Sequence, residues 1–170
     1  MTTLKEKNKK AKRETIAIEM APQPAHLEPQ FAELVKLVKL RDVRMIETQA
    51  KVDAQAMLLD DGTDLQLFVE PTHTRAGITG ATMYCGVRLG IKIASALDKP
   101  HMVEVYAEYG LFYDIPKGQE ISAEAANLFA SRNAVFNVWP FFRELVHTTI
   151  ARMGFPALVL PSFKLSVNPG

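Results

Sequence analysis

The pattern that most restricts this fold is the strict alternation between residues 83 and 115. Met83, Cys85, Val87, Leu89, Ile91 and Ile93 alternate with Tyr84, Gly86, Arg88, Gly90, Lys92 and Ala94. After Asp98-Lys99-Pro100, a turn signal, Val103, Val105, Ala107, Tyr109, Leu111, Tyr113 and Ile115 alternate with Glu104, Tyr106, Glu108, Gly110, Phe112 and Asp114. Side chains of a strand point to opposite faces in turn, so the pattern predicts a long hairpin with one dry and one mixed face. Both strands are longer than the usual ~5–6 residues. Edges of that length need covering by a helix or another subunit.

Upstream, Leu34 to Lys51 reads both ways. Leu34, Leu37, Val38 and Leu40 fit a helix face, whereas Val43 and Met45 around Arg44 fit a strand. The β-friendly valines and the strands that follow favour an extended element. Asp60-Asp61-Gly62 is a turn signal, Leu65, Leu67 and Val69 alternate as a second strand, and Gly77-Ile78-Thr79-Gly80 reads as a loop.

Downstream, Pro116-Lys117-Gly118 ends the sheet, and Ser122 is placed to cap a short helix over Ala123 to Ala130. A long helix follows, with Val138, Phe142, Leu145, Val146, Thr149, Ile150 and Met153 on one face. Pro140 is tolerable if Asn137 is the N-cap; a start near Asn133 would make it a kink. Gly154 is the natural residue just past the helix, and Pro156 prevents its continuation. The expected architecture is α+β: a four-stranded antiparallel sheet with a long helix packed on one face. Residues 1–33, basic and then spaced by Pro22, Pro24 and Pro29, read as a flexible arm, and residues 34–170 as a single domain.

Bulk properties exclude more than they select. Apolar residues make up 48% of 170 residues and the net charge is +1, so no global field selects nucleic acid or membrane. Six bases lie between Lys5 and Arg13 with one acid, Glu6, a block that reads as a solvated tail or an acidic-partner or nucleic-acid contact. The single cysteine, Cys85, forbids an internal disulfide and fits a reducing cytoplasm. Thr15 to Ala21 is too short and too polar for a signal-peptide core, and no run approaches a membrane span of ~20 apolar residues. A cytoplasmic protein is expected. There is no phosphate-binding lysine loop, no Gly-x-Ser-x-Gly elbow and no His-Glu-x-x-His helix. His26, His73, His101 and His147 are scattered, and His147 reads as surface decoration. Neither an enzyme nor a cofactor is expected.

The helix and tail carry a more specific signal. Val138-Trp139-Pro140-Phe141-Phe142-Arg143-Glu144, followed by Gly154-Phe155-Pro156-Ala157-Leu158-Val159-Leu160-Pro161, resembles the SecB family of protein-export chaperones. Leu40-Arg41-Asp42-Val43-Arg44-Met45-Ile46-Glu47 is similar to the first strand of that family, and Val103 to Phe112 to its last. The resemblance spans about residues 35 to 161. It implies a homotetramer that holds unfolded preproteins in long apolar grooves without ATP. It further implies delivery to the translocase motor SecA or, in one branch, protection of an aggregation-prone antitoxin. The near-neutral charge and the nine residues after Pro161 depart from the family's acidic character and second helix. These departures weaken the implied SecA contact and bring the antitoxin branch level with general export.

With that resemblance, Phe112, Trp139, Phe155, Leu158 and Leu160 are the expected client surface. For Trp139 and for the three tail residues, packing within the protein's own core is an equal alternative. Tyr84 and Tyr106, on the wetter sheet face, are expected at a subunit interface. The competing readings are a dedicated protein-interaction partner without general clients and nucleic-acid contact through the basic arm.

Overall fold

The computed structural model describes residues 17–19, 27–54, 66–70, 72–95, 102–155 and 158–166. In chain order the elements are β1 (Ala17–Glu19), α1 (Glu28–Leu37), β2 (Lys39–Val52), β3 (Gln66–Val69), β4 (His73–Thr79), β5 (Thr82–Ala94) and β6 (Val103–Asp114). Then come α2 (Ala123–Phe129), a π-helical turn (Ala130–Ala134), α3 (Val135–Arg152) and β7 (Lys164–Ser166).

The main sheet is antiparallel, in the order β2-β6-β5, and both β3 and β4 pair with the outer edge of β5. β4 takes the stretch from Thr82 to Arg88 and β3 the stretch from Ile91 to Ala94. The sheet therefore has five strands where four were expected, β3 and β4 sharing the outermost position beside β5. The predicted α+β architecture is the observed one. The β5–β6 hairpin holds the alternation in register, pairing Met83 with Tyr113 and Ile93 with Val103. Every odd-numbered residue from Met83 to Ile93 and from Val103 to Tyr113 is buried, on the side the helices cover. The Asp60–Gly62 and Asp98–Pro100 turns lie outside the described residues.

Three local readings differ from the structure. Leu34 to Leu37 belong to α1 and not to an extended element. Pro29 suits a first helical turn, where N–H groups lack partners in any case. Leu34 is buried and Phe31 packs on Phe129, ring centroids 6.4 Å apart, so tertiary contact overrides the β preference of Val35, whereas Val38 and Val43 are extended as expected. The boundary drawn at residue 33 thus falls inside a helix, and the Lys5–Arg13 run lies outside the described residues. Second, Gly77 to Thr79 are strand. β4 continues to Thr79, and Gly80-Ala81 forms the two-residue loop, with φ 57° at Gly80. Positive φ at the first loop residue alone matches the type II′ turn that joins twisted strands.

Third, of the two helix starts that the sequence leaves open, the one with Asn137 as N-cap is not the one taken: α3 begins at Val135. Ser122 caps α2 as expected, its hydroxyl accepting from the Ala125 N–H at 3.1 Å. From there the backbone is helical to Arg152 through the π turn. Asn137 instead donates to the Tyr113 hydroxyl and to Asn133 Oδ1, both at 3.0 Å. Pro140 sits inside α3 on its exposed face, where water can reach the Phe136 carbonyl left without a helical donor. The helix ends as anticipated. Gly154, φ 87°, donates to Ala151 O at 3.1 Å and Phe155 to Ile150 O at 3.3 Å, the paired bonds of a Schellman cap.

Candidate functional site

The two faces of the sheet are chemically different. On the helix side, the core strip of α3 (Val138, Phe142, Val146 and Ile150) closes on β5 and β6. Ala130 and Ala134 of the π turn are fully buried, and their small side chains let the helix approach the sheet closely. Cys85 lies in this layer, its thiol pushed up to about 12 by burial, far from the reactive thiolate range.

The opposite face is a layer of rings and charges. Tyr84 lies against Phe112, centroids 5.3 Å apart. The Arg44 guanidinium sits 5.2 Å from the Phe112 ring, Arg75 5.8 Å from Tyr84 and Arg88 5.7 Å from Tyr106. Arg75 pairs with Glu108 at 2.5 Å and Lys92 with Glu70 at 3.1 Å. Hydrogen bonding to Tyr84 raises the Arg75 pKa, and bonding to Glu70 and Tyr106 raises that of Lys92, so both stay cationic. Glycines make room for these rings. A Cβ at Gly90 would collide with the Tyr106 ring, and one at Gly110 would come within 2.9 Å of Tyr84. The polar and aromatic groups here largely satisfy one another.

The five residues expected to form a client surface are not brought together. Phe112 lies on the ring-and-charge face, across the sheet from the other four. Trp139, 2% exposed, is core: its Nε1–H donates to Pro161 O at 2.9 Å, and its ring meets Phe142 at 6.0 Å and Phe163 at 5.4 Å. Leu160 is fully buried beside it, and Arg143 Nε donates to the Leu160 carbonyl at 2.7 Å. The tail is thus bound to α3 within one chain, the alternative that the sequence left open. Phe155 and Leu158 are half-buried against the same core. Tyr84 and Tyr106 are half-buried on the ring-and-charge face.

The structure exposes a different apolar strip. β2 pairs with β6 so that Leu40 faces Tyr113, Val43 faces Leu111 and Met45 faces Tyr109. Opposed residues share a face, so this row lies on the helix side. Yet Leu40 is 43% exposed and Met45 47%. Phe141, one helical turn beyond Asn137 on the α3 face that reaches Tyr113, is 51% exposed. Tyr109, opposite Met45 and within reach of the charge of Glu144 on α3, has a buried hydroxyl with no hydrogen-bond partner among the described residues. Burial, helped by the charge of Glu144, pushes that hydroxyl up to about 12, so it stays a neutral donor. Sequence reasoning missed this strip. The available signal was Phe141, an aromatic outside the helix's core stripe, together with apolar residues on a strand destined for an edge.

Among the described residues there is no group of three or more His, Cys, Asp or Glu side chains able to hold a metal ion, and no helix is long and apolar enough to cross a membrane. No protein-family model matches the sequence, and no curated protein matches it. Among solved structures, the chain is similar to the SecB-like chaperone Rv1957 of Mycobacterium tuberculosis in complex with a ChAD peptide from the HigA1 antitoxin. That match has a TM-score of 0.66 and 20% identity, and covers 79% of this chain and 97% of the other. A protein of unknown function from Streptococcus agalactiae matches at a TM-score of 0.42 and 8% identity, over 72% of this chain and 95% of the other. The fold of this chain is that of the SecB-like chaperones.

Proposed function

We propose that the protein is an ATP-independent holding chaperone that binds extended apolar polypeptide segments along the strip between β2 and α3. The observation that carries this reading is the exposure of Leu40 and Met45 on β2 and of Phe141 on α3, with the Tyr109 hydroxyl unpartnered among the described residues. Burying such side chains contributes about 25 cal/mol per Å², with little demand on client sequence. A client that moves the cover of Tyr109 aside gains a hydrogen-bond donor for a backbone carbonyl, relieving a buried polar group that costs about 1–3 kcal/mol when unpaired. Half-buried Phe155 and Leu158 are further client contacts in this reading, whereas Trp139 and Leu160 hold the tail in place.

A cytoplasmic homotetramer, implied by the sequence resemblance, belongs to the same proposal. β2 is fourteen residues long and, among the described residues, pairs with β6 alone, which leaves a backbone edge for a second copy. Phe136, 55% exposed, offers an apolar contact on α3. Tyr84 and Tyr106 are proposed as interface residues on the other face. A SecA contact draws little support from that face, where Glu108 pairs with Arg75 and Glu70 with Lys92. A dedicated antitoxin-like client is the second reading, favoured by the peptide bound to the mycobacterial neighbour.

The test is aggregation suppression without ATP, on two unrelated unfolding proteins, by the intact chain and by Met45→Asp. Protection of both by the intact chain, lost in a variant with an unchanged urea midpoint, supports the general holdase. Protection of neither removes it and leaves the dedicated client.

A further inference from the structure

Between α3 and β7, residues 158–163 belong to no helix or strand. The carbonyls of this tail at Leu160 and Pro161 are met by the side chains of Arg143 and Trp139. Buried Leu160 and Phe163 fix it to the core. This anchored run leads into β7, and β7 pairs with β1, from the far end of the chain. The two are parallel, with Ala17 beside Lys164, Ile18 beside Leu165 and Glu19 beside Ser166.

The pairing is asymmetric. β7 is positioned by the tail that precedes it. Among the described residues, β1 has only this three-residue partnership, in a two-stranded parallel ribbon. Two-stranded sheets are marginal alone, and parallel pairing is slightly weaker per residue than antiparallel. β1 is nonetheless tethered close by. α1 begins at Glu28 and is fixed to the helical layer by Glu28–Arg132 at 2.7 Å and by Gln30–Ser122 at 3.2 Å. In sequence, Thr15-Ile16-Ala17-Ile18-Glu19-Met20 is an apolar segment between the basic run and the prolines, with the composition of an extended client segment.

We propose that β7 is a strand-accepting edge for an extended apolar polypeptide and that β1 is its resident occupant, displaced when a client binds. The inference rests on the chaperone reading and adds a second, backbone-mediated contact to it. Strand addition relies on main-chain hydrogen bonds, which tolerates varied client sequences. A short tether holds its segment at an effective concentration in the mM range. A free peptide offering only the same three-residue pairing is therefore outcompeted, and longer segments that gain other contacts displace β1. The strap selects for length of unfolded chain.

The experiment uses the full-length protein and, as probe, a fluorescein-labelled synthetic peptide with this chain's own residues 13–22, read by fluorescence anisotropy. Ile18→Pro is expected to bind the peptide about ten-fold more tightly than the intact chain, the gain for an edge free about a tenth of the time. Ala17→Cys combined with Lys164→Cys, oxidised to lock β1 on β7, is expected to bind at least about ten-fold more weakly and to recover on reduction. Equal affinity in all forms, or no binding to any, overturns the proposal. Aggregation suppression measured in parallel separates the two readings. Clients still protected while peptide affinity never changes sinks the strap alone. Peptide exchange at β7 without client protection sinks the chaperone reading alone.

Discussion

β5 and β2 flank the same strand, β6, and both place apolar side chains on the helix side of the sheet. Their fates are opposite. Met83, Cys85, Val87, Leu89 and Ile91 of β5 are sealed, whereas Leu40 and Met45 of β2 stay nearly half exposed. The difference lies above the sheet. α2 packs over β4, the π turn over β4 and β5, and α3 over β5 and β6. The helical layer stops before it covers β2. The same alternating pattern therefore makes a core in one place and an open apolar row a single strand away. The sealed row and the open row thus lie on strands either side of β6.

The comparison breaks most easily on the sealed side. Phe142→Ala removes a fully buried ring and is expected to cost about 3–5 kcal/mol, visible as a large fall in urea midpoint. A midpoint within 1 M urea of the parent would mean that α3 is not the lid of this core.

Alkaline pH probes the same layer. Burial pushes Cys85 and Tyr109 each up to about 12, and Tyr113 is pushed up as well, although its bond to Asn137 works the other way. The folded chain keeps these protons at pH values where the unfolded chain releases them, so above about pH 8.5 the unfolded state binds fewer protons. Their contribution to stability is complete below that pH and is lost as pH rises, about 2 kcal/mol by pH 10 from Cys85 alone. Urea midpoints at pH 7, 8.5 and 10 check the sign; a rise with pH would contradict it.

Trp139→Phe asks whether the tail belongs to the sealed region. It leaves the Pro161 carbonyl without its indole donor and is expected to cost about 1–2 kcal/mol, with faster hydrogen exchange in Leu165 and Ser166. Unchanged exchange there would show that the tail is held by other means. The smallest stability effect is expected at the open row. Met45→Asp should stay within about 0.5 kcal/mol of the parent while client protection is lost. A large destabilisation would show that Met45 is core in the assembled protein, and the contrast between β5 and β2 would then collapse.

Much of the fold is legible locally. The β5–β6 alternation, the Ser122 cap, the α3 stripe through Val138, Phe142, Val146 and Ile150, and the Gly154 terminus all depend on residues close in sequence. Elements shaped by distant neighbours were harder to read. α1 is helical where Val35 favours a strand, because Phe31 and Leu34 find the helical layer. β4 exists because β5 offers an edge to a segment with little alternation of its own. The Asn137 side chain is drawn away from the helix backbone by Tyr113.

The candidate site divides in the same way. The sequence by itself determined which residues alternate, which stripe a helix buries and where the helix ends, because these follow from periods of two and 3.6 and from cap chemistry within a few residues. Only the tertiary structure decided that Trp139 and Leu160 are core, that Phe112 lies across the sheet from them, and that Leu40, Met45 and Phe141 remain open. Burial is set by what arrives from elsewhere in the chain, and the place where a helical layer ends is written in no local pattern.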